Sequence, residues 1–183
     1  MHPSQRFLRG LFAGGTFCYQ AQALARDAGL VVWSNSPLEG MRDLPDALRS
    51  REHSLVDMGA EELVQGRAHP MIDATLRRRR VEAELADPEV AVLLLDFILG
   101  TVSSPDPAGD LAPAIARGSE RAKERGRLML VVASICGTEL DPQRLSAQVA
   151  TLERAGVLVL PTAAAAAWLA IEAALELGRR RSG

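Results

Sequence analysis

The stretch that decides the fold is Val90-Ala91-Val92-Leu93-Leu94-Leu95-Asp96, a run of six apolar residues closed by a carboxylate. A strand with one exposed face alternates apolar and polar residues, whereas a strand covered by helices on both faces is apolar throughout. This run therefore predicts a central strand of a parallel sheet. Five further short runs end at a glycine, a proline or a polar residue: Leu11–Ala13, Leu30–Trp33, Ser54–Met58, Leu128–Ala133 and Val157–Leu160.

Segments with helix start and stop signals separate these runs. Thr16, a favoured capping residue, precedes Phe17, and Gly29, a favoured terminator, follows Ala28. Strand and helix alternate almost throughout, which predicts an α/β fold with a doubly wound, mostly parallel sheet and helices on both faces. The predicted helices are Phe17–Ala28, Pro70 to about Ala86, Leu111–Arg125 with Asp110 as its cap, Asp141 to Ala155, and Thr162 to Leu177.

Composition limits the class of protein. With 183 residues and a formal charge of −2, the chain is expected to form a single domain, 1–183, with no basic field to hold nucleic acid. Two cysteines build neither a disulfide framework nor a four-thiolate zinc site. The apolar stretch Ala163–Ile171 is far shorter than the roughly 20 residues of a membrane helix. We expect a cytoplasmic protein without a metal or a membrane span, whose residues 1–8 and 179–183 are flexible.

Ligands of an open α/β sheet bind outside the carboxyl ends of its strands. Gly14-Gly15-Thr16 joins the first predicted strand to a helix, so its backbone N–H groups and the helix dipole could hold an anion there. A tight turn with a threonine cap is the alternative interpretation of the same residues.

A second candidate is the segment around His69, which precedes Pro70 at the predicted start of a helix. Arg67 provides a guanidinium fork for phosphate or carboxylate, and the Asp73 carboxylate could orient the imidazole. A histidine at a helix start without any ligand fits the pattern equally well.

Other reactive side chains are interpreted as structural. The run Arg77–Arg80 fans around a helix axis and is followed by Glu82 and Glu84, which predicts a solvated helix with ion pairs rather than a nucleic-acid stripe. Cys18 and Cys136 are expected to be small buried side chains, with Cys136 as a nucleophile left as an alternative.

Four segments stand in an order and spacing that cover nearly the whole chain: Arg9–Tyr19, Gly66–Asp73, Asp96–Gly100 and Ala133–Gln143. Together they resemble the FdrA family of acyl-CoA synthetase-like proteins. The chain is more distantly similar to the C-terminal CoA-ligase domain of the succinyl-CoA synthetase alpha subunit, which implies a flavodoxin-like fold.

The resemblance implies an anion site. The sequence also departs from the synthetase at a residue that its chemistry requires. Gly14-Gly15-Thr16 matches the turn that opens a helix facing the phosphohistidine of the synthetase. The loop that carries that histidine corresponds to Cys136–Asp141, which contains no histidine, and Asp96 stands near the supporting glutamate. The synthetase's phosphate relay therefore cannot run here in its known form.

The predicted function is a CoA-ligase-type domain that binds a phosphate- or carboxylate-bearing small molecule, in acyl-phosphate, carbamoyl-phosphate or acyl-CoA chemistry. The resemblance implies CoA or a phosphate ligand and a homo- or hetero-oligomer whose partner subunits are needed for turnover. His69 and Asp96 are the predicted catalytic residues, and no metal ligand is predicted. The predicted anion- or ligand-binding residues are Gly14, Gly15, Thr16, Arg67, Gly137, Thr138 and Glu139.

The alternative is a non-catalytic assembly subunit. Its alanine-rich last helix would dock another chain through Trp168 and Leu175. The residues alone leave open whether the protein is an enzyme.

Overall fold

A computed structural model describes residues 2–182 as a seven-stranded sheet in which all strand pairs are parallel. The strand order is β3-β2-β4-β1-β5-β6-β7. From β1 the chain first builds the β2-β3 edge, returns to place β4 beside β1, and then moves outward through β5, β6 and β7. This confirms the predicted doubly wound α/β fold. The strands are β1 Phe7–Phe12, β2 Trp33–Ser34, β3 Arg42–Asp43, β4 Ser54–Asp57, β5 Val90–Ile98, β6 Leu130–Cys136 and β7 Leu158–Leu160.

Six helices cover the two faces of the sheet and enclose two apolar cores. Helices α1 and α6 pack on one face, and α3, α4 and α5 contribute core residues to the other. None of the helices within residues 2–182 is long and apolar enough to cross a membrane. The helices are α1 Gly15–Asp27, α2 Glu61–Val64, α3 Thr75–Ala86, α4 Pro107–Glu124, α5 Leu145–Arg154 and α6 Ala163–Ser182.

The central strand β5 explains why a continuous apolar run was the strongest fold signal. Leu93, Leu95 and Phe97 point into the core beneath α3, α4 and α5, whereas Val92 and Leu94 point into the core beneath α1 and α6. Successive side chains of a strand face opposite sides, so burial on both sides demands apolar residues at every position.

Several predicted helix starts are wrong by a few residues. Turns occupy the segment after Pro70, and α3 begins only at Thr75, whose N–H donates to the Asp73 carboxylate. His69 is therefore not at the cap of this helix. The cap of α4 is Asp106, which accepts from Gly109 N, and not Asp110.

The first and fifth helices also differ from prediction. Gly14, not Thr16, is the N-cap of α1, and it provides no side chain to cap the first turn. Helix α5 begins at Leu145 rather than at Asp141, because Asp141 accepts from Thr138 N in the preceding loop.

Two arginines of the predicted solvated run are in fact buried. Arg77 and Arg80 lie three residues apart, hence on one helix face, and that face packs against the sheet and the loop before β4. Each pairs with a buried carboxylate: Arg77 with Asp96 at 2.7 Å and Arg80 with Glu84 at 2.8 Å. The charge run is thus half solvated and half structural.

The two cysteines differ in their exposure to solvent. Cys18 is fully buried, as predicted, and burial raises the pKa of its thiol to about 12. Cys136 is exposed, because it is the last residue of β6 and leaves the sheet there.

The predicted flexibility of residues 1–8 and 179–183 stays a prediction. It extends over Met1 and Gly183, which lie outside the described residues. Within them, Phe7 and Leu8 belong to β1.

Candidate functional site

The carboxyl ends of the strands meet at one edge of the sheet, as they must in a parallel arrangement. Hydrogen bonds join the neighbouring strand ends: Ala13 N donates to Asp96 Oδ1 at 2.7 Å, and Asn35 Nδ2 donates to Asp57 O at 3.0 Å. Farther along the edge, Gln143 Nε2 donates to Gly100 O at 2.8 Å. Most of the candidate residues therefore lie on a single rim.

The N-terminus of α1 is open at this rim. Gly14 has an extended backbone, and among the described residues no side chain caps the helix. The first-turn N–H groups, including those of Gly15 and Thr16, point out of the helix with the positive end of its dipole. A Cβ on Gly15 would lie 3.0 Å from Asp57 Oδ2, so the glycine lets this carboxylate come close.

Asp57 is the carboxylate that faces His69. Burial raises the pKa of Asp57 above its ordinary value, and the hydrogen bond from Gly59 N and the proximity of His69 oppose this rise. A Cβ on Gly59 would lie 2.6 Å from His69 Nε2 and 2.8 Å from Ala13 O. Because Gly59 has no side chain, the imidazole, the Asp57 carboxylate and the turn before α1 can lie close together.

The orientation of the imidazole is set locally. Met71 N donates to His69 Nδ1 at 3.3 Å, which leaves the proton of the neutral ring on Nε2, the nitrogen beside Gly59. Asp73, the predicted orienting carboxylate, instead caps Thr75 N at 2.8 Å. That expectation is wrong because the segment turns before α3 and directs Asp73 toward the helix start.

Asp96 lies beneath the turn and is almost inaccessible, with 1% of its surface exposed. Its Oδ1 accepts from Ala13 N and from Arg77 Nη2, both at 2.7 Å. Its Oδ2 has no hydrogen-bond partner among residues 2–182. Burial raises the pKa of this carboxyl, and the Arg77 cation opposes the rise. The geometry makes Asp96 a positioning residue for the turn, and its predicted catalytic role stays a prediction.

Gly137, Thr138 and Glu139 form a loop. Its polar groups form hydrogen bonds with residues a little later in the chain. Thr138 N and Oγ1 donate to Asp141 Oδ2, and Glu139 accepts from Ser146 N at 2.9 Å in the first turn of α5. A Cβ on Gly137 would lie 2.6 Å from Leu99. These contacts give the loop a structural purpose, and its predicted role as a ligand wall stays a prediction.

Arg67 lies apart from the glycine turn in the lining of a cleft of about 350 Å³. Met58 lines the same cleft, whereas its neighbours Asp57 and Gly59 face the turn and His69. The cleft and the rim therefore lie on two sides of the β4 end, and Arg67 shares the cleft with Arg79.

Sequence reasoning gave Asp57 no role in the site. Its position at the end of a buried run placed it at the rim, but nothing in the local pattern connected it to His69, which lies 12 residues later. Within residues 2–182, no group of three or more histidine, cysteine, aspartate or glutamate side chains is arranged to hold a metal ion.

Comparisons with known proteins agree with this architecture. The family model described as CoA-ligase matches residues 11–173 of the chain. A relative named "Uncharacterized protein YahF", from Escherichia coli (strain K12), is 37% identical over 159 residues, which are 87% of this chain and 31% of YahF. The chain thus spans about a third of the length of that relative. The matched region begins near the end of β1, ends within α6 and includes every strand and helix between them, and the chain belongs to the CoA-ligase family.

Proposed function

We propose that the chain is the CoA-ligase-type domain of an FdrA-like acyl-CoA synthetase system, and that it binds a phosphate- or carboxylate-bearing small molecule at the rim. Acyl-phosphate, carbamoyl-phosphate or acyl-CoA chemistry is the proposed setting. Turnover would need partner subunits or domains, because the chain spans only 31% of the relative YahF.

The observation that carries the proposal is the uncapped start of α1 beside His69 and Asp57. Helix N-termini favour anions because their N–H groups lack internal partners and carry a partial positive charge. A second contributor is the imidazole, whose Nε2 lies beside Gly59, close to Ala13 O in the turn before α1. Gly14, Gly15 and Thr16 would supply backbone donors, and His69 would donate or carry a proton to the bound group.

The charge on Asp57 affects how strongly an anion would bind beside Gly15. Its Oδ2 lies close to Gly15, so an ionised Asp57 repels an incoming anion. Burial raises the pKa of this carboxyl, so Asp57 loses its negative charge at a higher pH than an ordinary aspartate. Anion binding should accordingly strengthen as the pH falls toward the pKa of Asp57, because protonation removes the competing charge.

The test is a titration of ¹⁵N-labelled protein with inorganic phosphate, acetyl phosphate, carbamoyl phosphate, CoA and oxamate, followed through the backbone amides. We expect saturable shifts at Gly14, Gly15 and Thr16 for at least one of these probes. His69→Gln should weaken that binding about tenfold, the loss of one charge-assisted hydrogen bond.

Two further variants distinguish binding from fold support. Asp57→Asn should strengthen phosphate binding, because it removes a negative charge and keeps an oxygen for Gly59 N. His2→Gln is the matched control, since His2 lies before β1 at the opposite end of the strands. Weakening by both Asp57→Asn and His69→Gln would indicate structural roles only, and the absence of any saturable shift would refute the proposal.

A non-catalytic assembly subunit is the second candidate, and one observation favours it. The large apolar side chain of Trp168 on α6 is 47% exposed, although much of this helix packs on the sheet. Leu175 does not share this surface, because it packs against the core. If Trp168→Lys abolishes assembly with partner chains while His69→Gln leaves cellular function intact, the assembly role is favoured.

A further inference from the structure

The cleft that contains Arg67 is a formed site of its own, on the opposite side of the β4 end from the glycine turn. It lies between the segment after β4 and helix α3, and its volume of about 350 Å³ falls in the range of small-molecule sites. Its apolar lining comes from Met58, Leu63, Val64, Ala68, Pro70 and Leu76.

Two exposed arginines belong to the lining of this cleft. Arg67 and Arg79 both line the cleft, and neither forms an ion pair with a carboxylate of the described residues. On the same helix, Arg77 and Arg80 are paired with buried carboxylates. The fold therefore neutralises the arginines that face the sheet and leaves the cleft arginine without an internal counterion.

The one carboxylate in the lining does not cancel this charge. Asp73 is directed to the start of α3, where Thr75 N donates to it, and the hydrogen bonds from Thr75 hold the pKa of Asp73 below its ordinary value. Two cations thus stand against one carboxylate in the cleft, which carries a net positive charge.

We propose that this cleft binds a small organic anion with an aliphatic body. The guanidinium forks of Arg67 and Arg79 would hold its carboxylate or phosphate, and the apolar lining would cover its hydrocarbon part. A guanidinium fork matches the planar oxygens of a carboxylate or the oxygens of a phosphate, and an apolar floor with few polar groups is the usual form of a small-molecule site. This site does not depend on the glycine turn or on His69.

An NMR titration with hexanoate tests the proposal, with hexanamide as the neutral isostere and inorganic phosphate as the anion without an aliphatic body. Hexanoate should shift the amides of Val64–Arg67 and of Leu76–Arg79 and should bind about fivefold more tightly than hexanamide. Octanoate should bind more tightly still, by up to about fourfold per added methylene that enters the cleft. Inorganic phosphate should bind the cleft more weakly than hexanoate.

Substitutions locate the site. Arg67→Gln and Arg79→Gln should each weaken hexanoate binding about fivefold. The matched control is Arg78→Gln, which removes the same charge from an exposed residue of α3 outside the cleft lining and should leave binding unchanged. His69→Gln should also leave hexanoate binding unchanged, so that failure of the rim proposal and failure of this one are separate results.

Three outcomes would overturn the inference. Equal affinity for hexanoate and hexanamide would show an apolar pocket without anion recognition. Equal weakening by Arg78→Gln and by Arg67→Gln would show only a general charge effect. Shifts confined to Gly15 and Thr16 would place the anion at the rim instead of the cleft.

Discussion

Replacement of Arg77 by methionine tests the buried ion pair that supports the rim. The guanidinium donates to Leu11 O at 2.7 Å, to Asp96 O at 2.6 Å and to Asp96 Oδ1 at 2.7 Å. Arg77→Met leaves these acceptors without their donor. The region is buried, since the side chains of Arg77 and Asp96 are only 4% and 2% exposed. Removing one partner of a buried pair costs about 3–5 kcal/mol, because the other charge stays buried without compensation.

Urea unfolding followed by circular dichroism measures this loss. With a slope of about 2 kcal/mol per molar urea, a destabilisation of about 4 kcal/mol moves the midpoint down by about 2 M. Arg78→Met is the matched control, because Arg78 is exposed on the same helix and its replacement should change the free energy of unfolding by less than about 0.5 kcal/mol.

The pH dependence of the same variant gives the sharper test. Burial already raises the pKa of Asp96, and Arg77 opposes that rise, so loss of Arg77 raises this pKa further. A carboxyl with a raised pKa in the folded state contributes most stability below its unfolded pKa of 3.8 and loses it as the pH rises through the folded value. The stability deficit of Arg77→Met should therefore shrink as the pH falls from neutral toward the unfolded pKa.

The double variant Arg77→Met with Asp96→Asn completes the test. It removes the uncompensated charge and keeps an oxygen that can accept from Ala13 N, so it should recover part of the lost stability at neutral pH. A deficit below about 1 kcal/mol in Arg77→Met, or one independent of pH, would refute the view that this ion pair stabilises the rim.

Three other predictions follow from single sites. A Cβ on Gly118 would lie 2.5 Å from Leu85 Cδ1, where α4 crosses α3. Gly118→Ala should therefore lower the free energy of unfolding, measured in urea, by about 1–3 kcal/mol. Combined with Leu85→Ala, the total loss should be smaller than the sum of the two single losses. Burial lowers the pKa of His53 to about 4 from 6.5, so the native protein should lose stability as the pH falls from 6.5 to 4, and His53→Gln should flatten that dependence. A maleimide should label one thiol per native chain, at Cys136, since Cys18 is buried with a pKa raised to about 12; rapid labelling of both would contradict the buried position of Cys18.

Much of the fold was open to prediction because its signals are local. The apolar run at Val90–Leu95 identified the central strand, and the glycine pair before Phe17 identified the strand-to-helix turn. Boundaries were less accurate where polar side chains redirect the chain, as at Asp73 and Asp106, because several residues in each segment are acceptable caps and packing selects among them.

What the sequence determined by itself is the alternation of buried strands and helices, since burial periodicity and capping depend on neighbours a few residues apart. The tertiary structure alone decided which side chains come near one another: Asp57 near His69, Arg77 paired with Asp96, and Arg67 in the lining of the same cleft as Arg79. Those meetings depend on strand order and register, which bring distant segments to one edge of the sheet. Local propensity carries no information about such distances, so these pairs appear only once the sheet is assembled.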